Sequence, residues 1–86
     1  MDDRQLRWLS TRRGMKELDM LLGAYLEHCY PYVSAEEQSA FVALLHYQDP
    51  HILDLLFGRL EDENPQRQRL VLFLRNYAQD KALFRV

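Results

Sequence analysis

The chain has 86 residues, of which 48% are hydrophobic and 28% are charged, and its formal net charge is −2. A chain of this length forms one domain, residues 1–86, with a small core, and its composition is that of a globular protein rather than a disordered one. The slight excess of acidic residues argues against general binding to nucleic acid or to an anionic membrane, since both require an excess of Lys and Arg.

Cys29 is the only cysteine and permits no internal disulfide, which suits a reducing compartment. No apolar run is long enough to span a bilayer. The acidic first residues, Met1 to Gln5, are unlike a secretory signal or a transit peptide. We therefore expect a cytoplasmic protein without membrane insertion.

Helix-start signals and apolar spacing divide the chain into about five helices, so we predict an all-α fold, a small helical bundle. Asp2 caps the first helix, with Gln5 as its capping-box partner. Ser10 and Thr11 are residues of the kind that precede a helix, and the second helix is predicted from Arg12 to Cys29. Its core stripe has helical spacing and comprises Met15, Leu18, Leu22, Tyr25, Leu26 and Cys29.

The later helix boundaries are marked by proline and by capping residues. Pro31 ends the second helix because it cannot donate a backbone hydrogen bond. Ser34–Glu37 is a capping box that opens the third helix. Asp49-Pro50 and Asn64-Pro65 each combine a capping residue with a proline at the first helical position, and they open the fourth and fifth helices. Gly58 is suited to end the fourth helix.

The apolar faces of these helices define the expected core. The residues that we expect to be buried are Leu18, Leu22, Tyr25, Phe41, Leu45, Leu56 and Phe73. Leu53 and Phe57 are also expected on the buried face of the fourth helix, and Tyr77 on that of the fifth.

Three further segments are given structural interpretations. Glu61–Glu63 is expected to be a solvated acidic loop. Tyr30 and Tyr32 are interpreted as packing residues rather than as a stacking platform. Residues 78–86 show no clear period and are expected to form a loosely held tail.

The start of the second helix departs from local preference. Arg12 and Arg13 place cations at the positive end of the helix macrodipole. Gly14 lies in the first turn, at a cost of about 1 kcal/mol relative to Ala. Arg13 precedes Glu17 by four residues, the weaker order for a helical ion pair. A segment that breaks such preferences without a gain in folding is a candidate functional site.

A helical wheel places Arg13 and Glu17 on an outward flank together with Met20 and Ala24. A mixed stripe of this kind suits a partner surface, and Gly14 would allow another backbone to approach. Spacing alone nevertheless favours the simpler alternative, a solvated surface pair worth well under 1 kcal/mol. In that alternative Gly14 fills a tight crossing between the first two helices.

Residue patterns for other kinds of chemistry are missing from the sequence. His28, Cys29, His46 and His51 do not have the spacing of a metal site such as C-x-x-C or H-x-x-x-H. No glycine-rich phosphate loop and no nucleophile with a positioned base can be recognised. We therefore expect no catalytic residue, no metal site and no enzymatic activity.

The segment Arg12-Arg13-Gly14-Met15-Lys16-Glu17-Leu18-Asp19 resembles the signature of the succinate dehydrogenase flavinylation factors, small assembly proteins of bacteria and mitochondria. The resemblance covers most of the chain, in the same order of features. These features are the basic opening at Arg4 to Arg7, the signature, Leu21 to Leu26, Ser34 to Glu37, and Asp49-Pro50 through Gly58.

The resemblance implies a five-helix bundle of bacterial origin that acts as an assembly chaperone. Such a factor promotes covalent attachment of FAD to a histidine of the flavoprotein subunit of succinate dehydrogenase, and in some cases of fumarate reductase. It binds the immature subunit and holds no cofactor stably. The partner-binding residues implied by the signature are Arg12, Arg13, Gly14, Lys16, Glu17 and Asp19.

Two alternatives stay open at this stage. Relatives of these factors have also been labelled antitoxins that counter a toxin acting on cytoskeletal proteins. The chain could instead be an unrelated helical protein-interaction module.

Overall fold

Five α-helices account for most of residues 2–83, the part of the chain that the computed structural model describes. The helices are α1 (Asp3–Thr11), α2 (Lys16–His28), α3 (Ala35–Leu45), α4 (Asp49–Leu56) and α5 (Pro65–Asp80), with a short 3-10 helix, Tyr30–Tyr32, between α2 and α3. These residues contain no β-strand, and the predicted all-α class is confirmed.

Capping residues start three of the helices as predicted. The Asp2 carboxylate accepts a hydrogen bond from the backbone N–H of Gln5. The Gln5 side-chain oxygen in turn accepts from the backbone N–H of Asp2, which completes the capping box. The Asn64 side chain caps α5 by accepting a hydrogen bond from the backbone N–H of Arg67 at 3.0 Å. Ser34 caps α3 by accepting from the Glu37 N–H at 3.2 Å. The Glu37 carboxylate, however, accepts from the Tyr25 hydroxyl at 2.5 Å, so the reciprocal half of the predicted box is replaced by a contact between helices.

The two ends of α4 depart differently from prediction. Gln48 occupies the N-cap position, and Asp49 and Pro50 are the first two helical residues, so the predicted capping role of Asp49 is wrong. Its carboxylate is used instead in a contact described below. Gly58 follows the end of α4 with a φ of +77°, a left-handed conformation that glycine adopts at little cost.

Helix α5 is longer than the sequence indicates. It continues to Asp80, and Ala78 is buried in the core, so the predicted loose tail does not begin at Ala78. The last residues of that predicted tail, 84–86, lie outside the described part of the chain.

The core is formed where α2 and α3 pack against α5, while α1 covers α2 and α4 closes against α5. One cluster of buried apolar side chains fills it. Its members are Leu6, Leu18, Leu21, Leu22, Tyr25, Leu26, Ala40, Phe41, Leu44, Leu45, Ile52, Leu55, Leu56, Leu70, Val71, Leu74 and Ala78. Six of the seven residues first named as buried from the sequence, all except Phe73, belong to this cluster.

The exception is Phe73, which is 45% exposed. The inward face of α5 is centred on Val71 and Leu74, and Phe73 lies at its edge, where its ring contacts Tyr25 and Tyr77. Tyr77 is likewise only half-buried. Periodicity selects the correct helix here but displaces the centre of its buried face.

Three other expectations of burial are wrong to different degrees. In α4, Leu53 is half-buried, and Phe57 lies just past the end of the helix and is exposed. Tyr32 is 83% exposed, so its predicted packing role is wrong. Tyr30 does pack, because its ring contacts that of Phe41 in a tilted arrangement.

The crossing of α1 and α2 depends on Gly23. A Cβ atom placed there would lie 2.9 Å from Cγ2 of Thr11, closer than real contacts allow. A glycine in the middle of a helix costs about 1 kcal/mol relative to Ala. The close approach of α1 and α2 explains why a glycine stands at position 23 despite this cost. The tight crossing that the sequence analysis considered for Gly14 is therefore found at Gly23.

Asp62 is the centre of a buried polar network, which corrects the prediction of a solvated loop for Glu61–Glu63. Its side chain is 3% exposed and accepts from the Tyr47 hydroxyl at 2.6 Å, from the Asn64 N–H at 2.8 Å and from Nε of Arg67 at 3.1 Å. Burial by itself raises the pKa of Asp62, but these hydrogen bonds outweigh it, so that its pKa is lowered. The network joins the α3–α4 turn to the start of α5.

Replacing Asp62 by asparagine should make the free energy of unfolding depend less on pH in the acidic range. Since the pKa of Asp62 is lower in the folded state, its charged form stabilises the fold above the ordinary value of about 3.9, and this contribution disappears as the pH falls through the lowered value. We expect Asp62→Asn to reduce the free energy of unfolding by about 1–3 kcal/mol at pH 7, with a difference that narrows below about pH 4.

Urea unfolding of both proteins between pH 7 and pH 3 measures this difference. Glu61→Gln, at the exposed neighbouring position, is the control and should follow the wild type closely. If the stability curves of wild type and Asp62→Asn ran parallel over the whole range, the linkage to Asp62 would be refuted.

Candidate functional site

The first half of the signature segment, residues 12–15, forms a loop between α1 and α2, and only the second half, residues 16–19, forms the first turn of a helix. Ser10 and Thr11 do not start α2, because their hydroxyls donate to the carbonyl oxygens of Leu6 and Arg7 at 2.6 Å and both residues remain in α1. Helix α2 begins at Lys16, four residues later than predicted. Residues 12–15 therefore connect the two helices.

This boundary removes the apparent conflict with helix preferences. Arg12, Arg13 and Gly14 precede α2, so they place neither a cation nor a flexible residue in its first turn. The acidic side chains of Glu17 and Asp19 do lie there, where the macrodipole favours negative charge.

Gly14 is required by its backbone conformation. Its φ is +88°, in the left-handed region that other L-residues adopt only at a cost of roughly 1–2 kcal/mol. No heavy atom of another part of the chain lies within 4 Å of the position that a Cβ would take. The space outside Gly14 is therefore open, and the residue does not fill a crossing between helices.

The Arg13 side chain is buried and binds three helices. Its side chain is 10% exposed, and its Nε donates to the Asp49 carboxylate at 2.6 Å. The terminal nitrogens donate to the carbonyl oxygens of Leu9 at 2.8 Å, Leu45 at 3.0 Å and Tyr47 at 2.6 Å. We call this set of contacts the Arg13 clamp.

The clamp satisfies groups that helix geometry leaves without partners. The last carbonyls of a helix have no intrahelical donor, and a cation near them is stabilised by the macrodipole. Arg13 occupies this position at the ends of α1 and α3, while its planar guanidinium also pairs with Asp49 at the start of α4. The predicted position of Arg13, on an outward flank beside Glu17, is wrong.

Asp19 holds the backbone of the loop. Its carboxylate accepts a hydrogen bond from the Arg13 N–H at 2.9 Å, and the residue is half-buried. Arg13 therefore contributes its side chain to the clamp, and its main chain is bound to the first turn of α2. Between them, Arg13 and Asp19 define the path of the chain through Gly14.

The other four residues predicted to bind a partner face solvent. Arg12, Gly14, Lys16 and Glu17 are all exposed. Glu17 has no ion-pair partner within residues 2–83. Of the six residues predicted to bind a partner, the structure thus presents four on the surface and uses two to hold the loop.

Two neighbours of Glu17 on the predicted flank differ in exposure. Met20 is exposed, whereas Ala24 is half-buried. The flank is therefore apolar and accessible only in its first part.

An open cavity of about 470 Å³ lies between α1 and the α3–α4 turn, beside the loop. Trp8, Arg12, Arg13, His46 and Asp49 are among the residues that line it. The sequence motif indicates residues 12–19 as a candidate site, although it predicts a helix there. Neither the role of Trp8 nor this cavity could be predicted from the sequence, because the cavity depends on a turn more than thirty residues away.

The described part of the chain shows no cluster of three or more His, Cys, Asp or Glu side chains arranged to hold a metal ion. Cys29 is half-buried, and burial together with the nearby Glu37 carboxylate raises the pKa of its thiol. None of the helices within residues 2–83 has the length and apolar character needed to cross a membrane.

Comparison with known proteins identifies the relatives of the chain. Residues 4–78 match a family model described as flavinator of succinate dehydrogenase. An FAD assembly factor from Pseudomonas putida is 35% identical over 77 residues, which cover 90% of each protein. The corresponding factor of Vibrio vulnificus is 38% identical over 60 residues, covering 70% of this chain and 69% of the relative. That of Shewanella oneidensis is 32% identical over 78 residues, covering 91% and 94%.

All three relatives are named as assembly factors and not as enzymes, in line with the sequence-based prediction that the chain is not an enzyme. The family match spans the signature loop, the Arg13 clamp and all five helices except the first residue of α1 and the last two of α5. The chain belongs to the flavinator of succinate dehydrogenase family.

Proposed function

We propose that this protein promotes the covalent attachment of FAD to the flavoprotein subunit of succinate dehydrogenase by binding the immature subunit. The observation that carries the proposal is the family match over residues 4–78. The exposure of Gly14 and Glu17 supports it, because both lie on an accessible surface where α2 begins, and Glu17 has no ion-pair partner within residues 2–83. The flavoprotein subunit of fumarate reductase is proposed as a second substrate of the same surface.

The proposed action is to order reacting groups that belong to the partner. Holding two groups in the geometry of reaction lowers the barrier by removing the entropy of their search. A small factor can achieve this by stabilising one conformation of the immature subunit, without contributing a nucleophile of its own. The acceptor histidine is a residue of the flavoprotein subunit, and in this proposal FAD is bound by that subunit as well.

Reconstitution tests the proposal directly. The purified apo-flavoprotein subunit is incubated with FAD, with and without this protein, and covalent flavin is measured by fluorescence of the denatured subunit on a gel. We expect a faster rate and a higher yield when the protein is present. Equal covalent flavin in both reactions, for both succinate dehydrogenase and fumarate reductase subunits, would refute the proposal.

The two alternative functions have less support. The family match overturns the interpretation as an unrelated helical module. None of the three relatives described above is named as an antitoxin.

Within the proposed complex, the six residues predicted to bind a partner have two different roles. Arg12, Gly14, Lys16 and Glu17 form the contact surface, since all four are exposed. Arg13 and Asp19 are positioning residues that act through the shape of the loop.

Glu17→Gln should impair flavinylation without affecting folding. The substitution removes one exposed charge, so the free energy of unfolding should change by only a few tenths of a kcal/mol. Loss of a charge-assisted contact worth about 1.5–3 kcal/mol should lower the rate of covalent flavin formation roughly tenfold or more. Glu36→Gln is the matched control, because Glu36 is also exposed at the second position of a helix. Equal rates for both variants would remove Glu17 from the contact surface.

Gly14→Ala should lower flavin yield by more than its effect on stability. Gly58 offers a matched comparison, because its φ of +77° resembles the +88° of Gly14 and neither position is sterically closed to a Cβ. Each alanine should destabilise the fold by roughly 1–2 kcal/mol through backbone strain. Melting temperatures and covalent flavin yields are measured for both variants. A contact role for Gly14 predicts that only its variant loses yield while folded, and equal yields would argue against that role.

Arg13→Lys should destabilise the fold, because lysine cannot reproduce the planar fork that binds four acceptors. We expect a loss of about 1–3 kcal/mol in the free energy of unfolding. Arg59→Lys, which alters an exposed ion pair with Asp54, should change it by less than about 1 kcal/mol.

The covalent flavin yield of Arg13→Lys should fall only in proportion to the fraction of unfolded protein. Leu22→Ala is the control, because it destabilises the core and should show the same proportion between yield and unfolded fraction. Full stability of Arg13→Lys together with abolished flavinylation would instead identify Arg13 as a contact residue.

A further inference from the structure

The outer face of α1 carries an exposed tryptophan between arginines, a surface that we call the Trp8 ridge and define by Arg4, Arg7, Trp8 and Arg12. Trp8 is 60% exposed and is the only tryptophan of the chain. It lines three adjacent depressions of about 470, 400 and 340 Å³, so the indole stands as a ridge between them. The fold gains little from a large apolar side chain in this position.

The side chains around Trp8 resemble those that contribute most to binding at protein interfaces. Trp and Arg are enriched among such residues, particularly where they sit beside recesses that a partner can fill. The Arg12 guanidinium lies over the Trp8 ring at 4.9 Å, which limits the motion of both side chains before any partner arrives. An indole that is already held loses less conformational freedom on binding.

Charge indicates what the ridge recognises. Four of the eleven Lys and Arg residues lie between Arg4 and Arg13, a stretch without an acidic residue, although the whole chain has a net charge of −2. Within residues 2–83, no carboxylate pairs with Arg4, Arg7 or Arg12. Unpaired guanidinium groups around an apolar side chain are complementary to a protein surface that carries carboxylates around an apolar recess.

The ridge is continuous with the signature loop. Arg12 belongs to both, and the 470 Å³ cavity is lined by Trp8 on one side and by the Arg13 clamp on the other. The clamp therefore fixes the ridge and the loop relative to each other. One partner can contact both surfaces at the same time.

We infer that the Trp8 ridge is a second docking surface for the immature flavoprotein subunit, with Trp8 inserted into an apolar recess that is rimmed by carboxylates. This inference rests on the proposed function and adds to it a surface outside the signature. Nucleic acid and anionic membranes suit the ridge less well, because the net negative charge of the chain opposes both.

Binding of the full chain to the purified apo-flavoprotein subunit tests the contribution of Trp8. We expect Trp8→Ala to raise the Kd at least tenfold, measured by calorimetry, with an unchanged melting temperature. Tyr32→Ala is the control, since Tyr32 is an even more exposed aromatic residue in the 3-10 helix and should leave the Kd unchanged.

A charge reversal tests the complementarity. Arg7→Glu should weaken binding about tenfold and should make the Kd less sensitive to salt, because it replaces attraction to carboxylates by repulsion. Arg69→Glu changes the net charge of the chain equally at an exposed position of α5 and should have a much smaller effect.

The single tryptophan also allows a direct readout. Protein labelled with fluorotryptophan gives one fluorine-NMR resonance, from Trp8, and this resonance should shift and broaden when the subunit is added. If the wild type bound and flavinylated the subunit while the resonance stayed unchanged and both variants bound normally, the ridge would be excluded and the proposed function would stand. If the wild type neither bound nor flavinylated the subunit, both would fail.

The same resonance is recorded with anionic lipid vesicles and with a mixed-sequence DNA duplex. A Trp8-dependent affinity for either that equals the affinity for the subunit would overturn the choice of partner. No response to either, with a response to the subunit, supports it.

Discussion

The arrangement of this protein depends on the guanidinium group of Arg13. A single side chain binds carbonyl oxygens near the ends of α1 and α3 and the carboxylate at the start of α4. Only a planar group with five donors can satisfy acceptors that approach from so many directions. Because the main chain of the same residue is bound to Asp19, the position of α2 is fixed together with the other three helices.

A charged clamp suits a chain of this size. A domain of fewer than a hundred residues buries a smaller fraction of its apolar surface than a larger one does, so helix ends must be joined by other means. Unpaired carbonyls at buried helix ends would cost free energy, and Arg13 removes that cost at two ends with one side chain. Asp62 joins the α3–α4 turn to the start of α5, because its carboxylate accepts hydrogen bonds from Tyr47 and Arg67.

The sequence predicts those features that depend on neighbouring residues. The capping box of Asp2, the start of α5 at Asn64-Pro65 and most of the core follow from local spacing, and the structure confirms them. The clamp and the Asp62 network could not be predicted in this way. Arg13 and Asp49 are 36 positions apart, and Tyr47 and Asp62 are 15 apart, so neither pair leaves a periodic signal.

The same limitation explains the misplaced start of α2. Cap-type residues such as Ser10 and Thr11 can bind backward to the preceding helix or forward to the next one. Here both hydroxyls donate backward to carbonyls of α1, and Thr11 packs against Gly23 where the two helices cross. The departure from helix preferences that the sequence predicts at Arg12, Arg13 and Gly14 is absent, because these residues lie in a loop held by a long-range clamp and not in a strained helix.

The division of labour within the signature has a consequence for how such a factor can act. A surface presented on a mobile loop would lose conformational entropy when a partner orders it, and that loss would reduce the binding energy available to hold the partner in a reactive conformation. Here the clamp orders the loop as the protein folds, before any encounter. Glu17 therefore lies on a fixed helix terminus. In the proposed complex, the free energy of its contacts would be available to shift the conformational equilibrium of the partner. On this proposal the buried and the exposed residues of one short motif serve the same function, because the former determine the geometry in which the latter are presented.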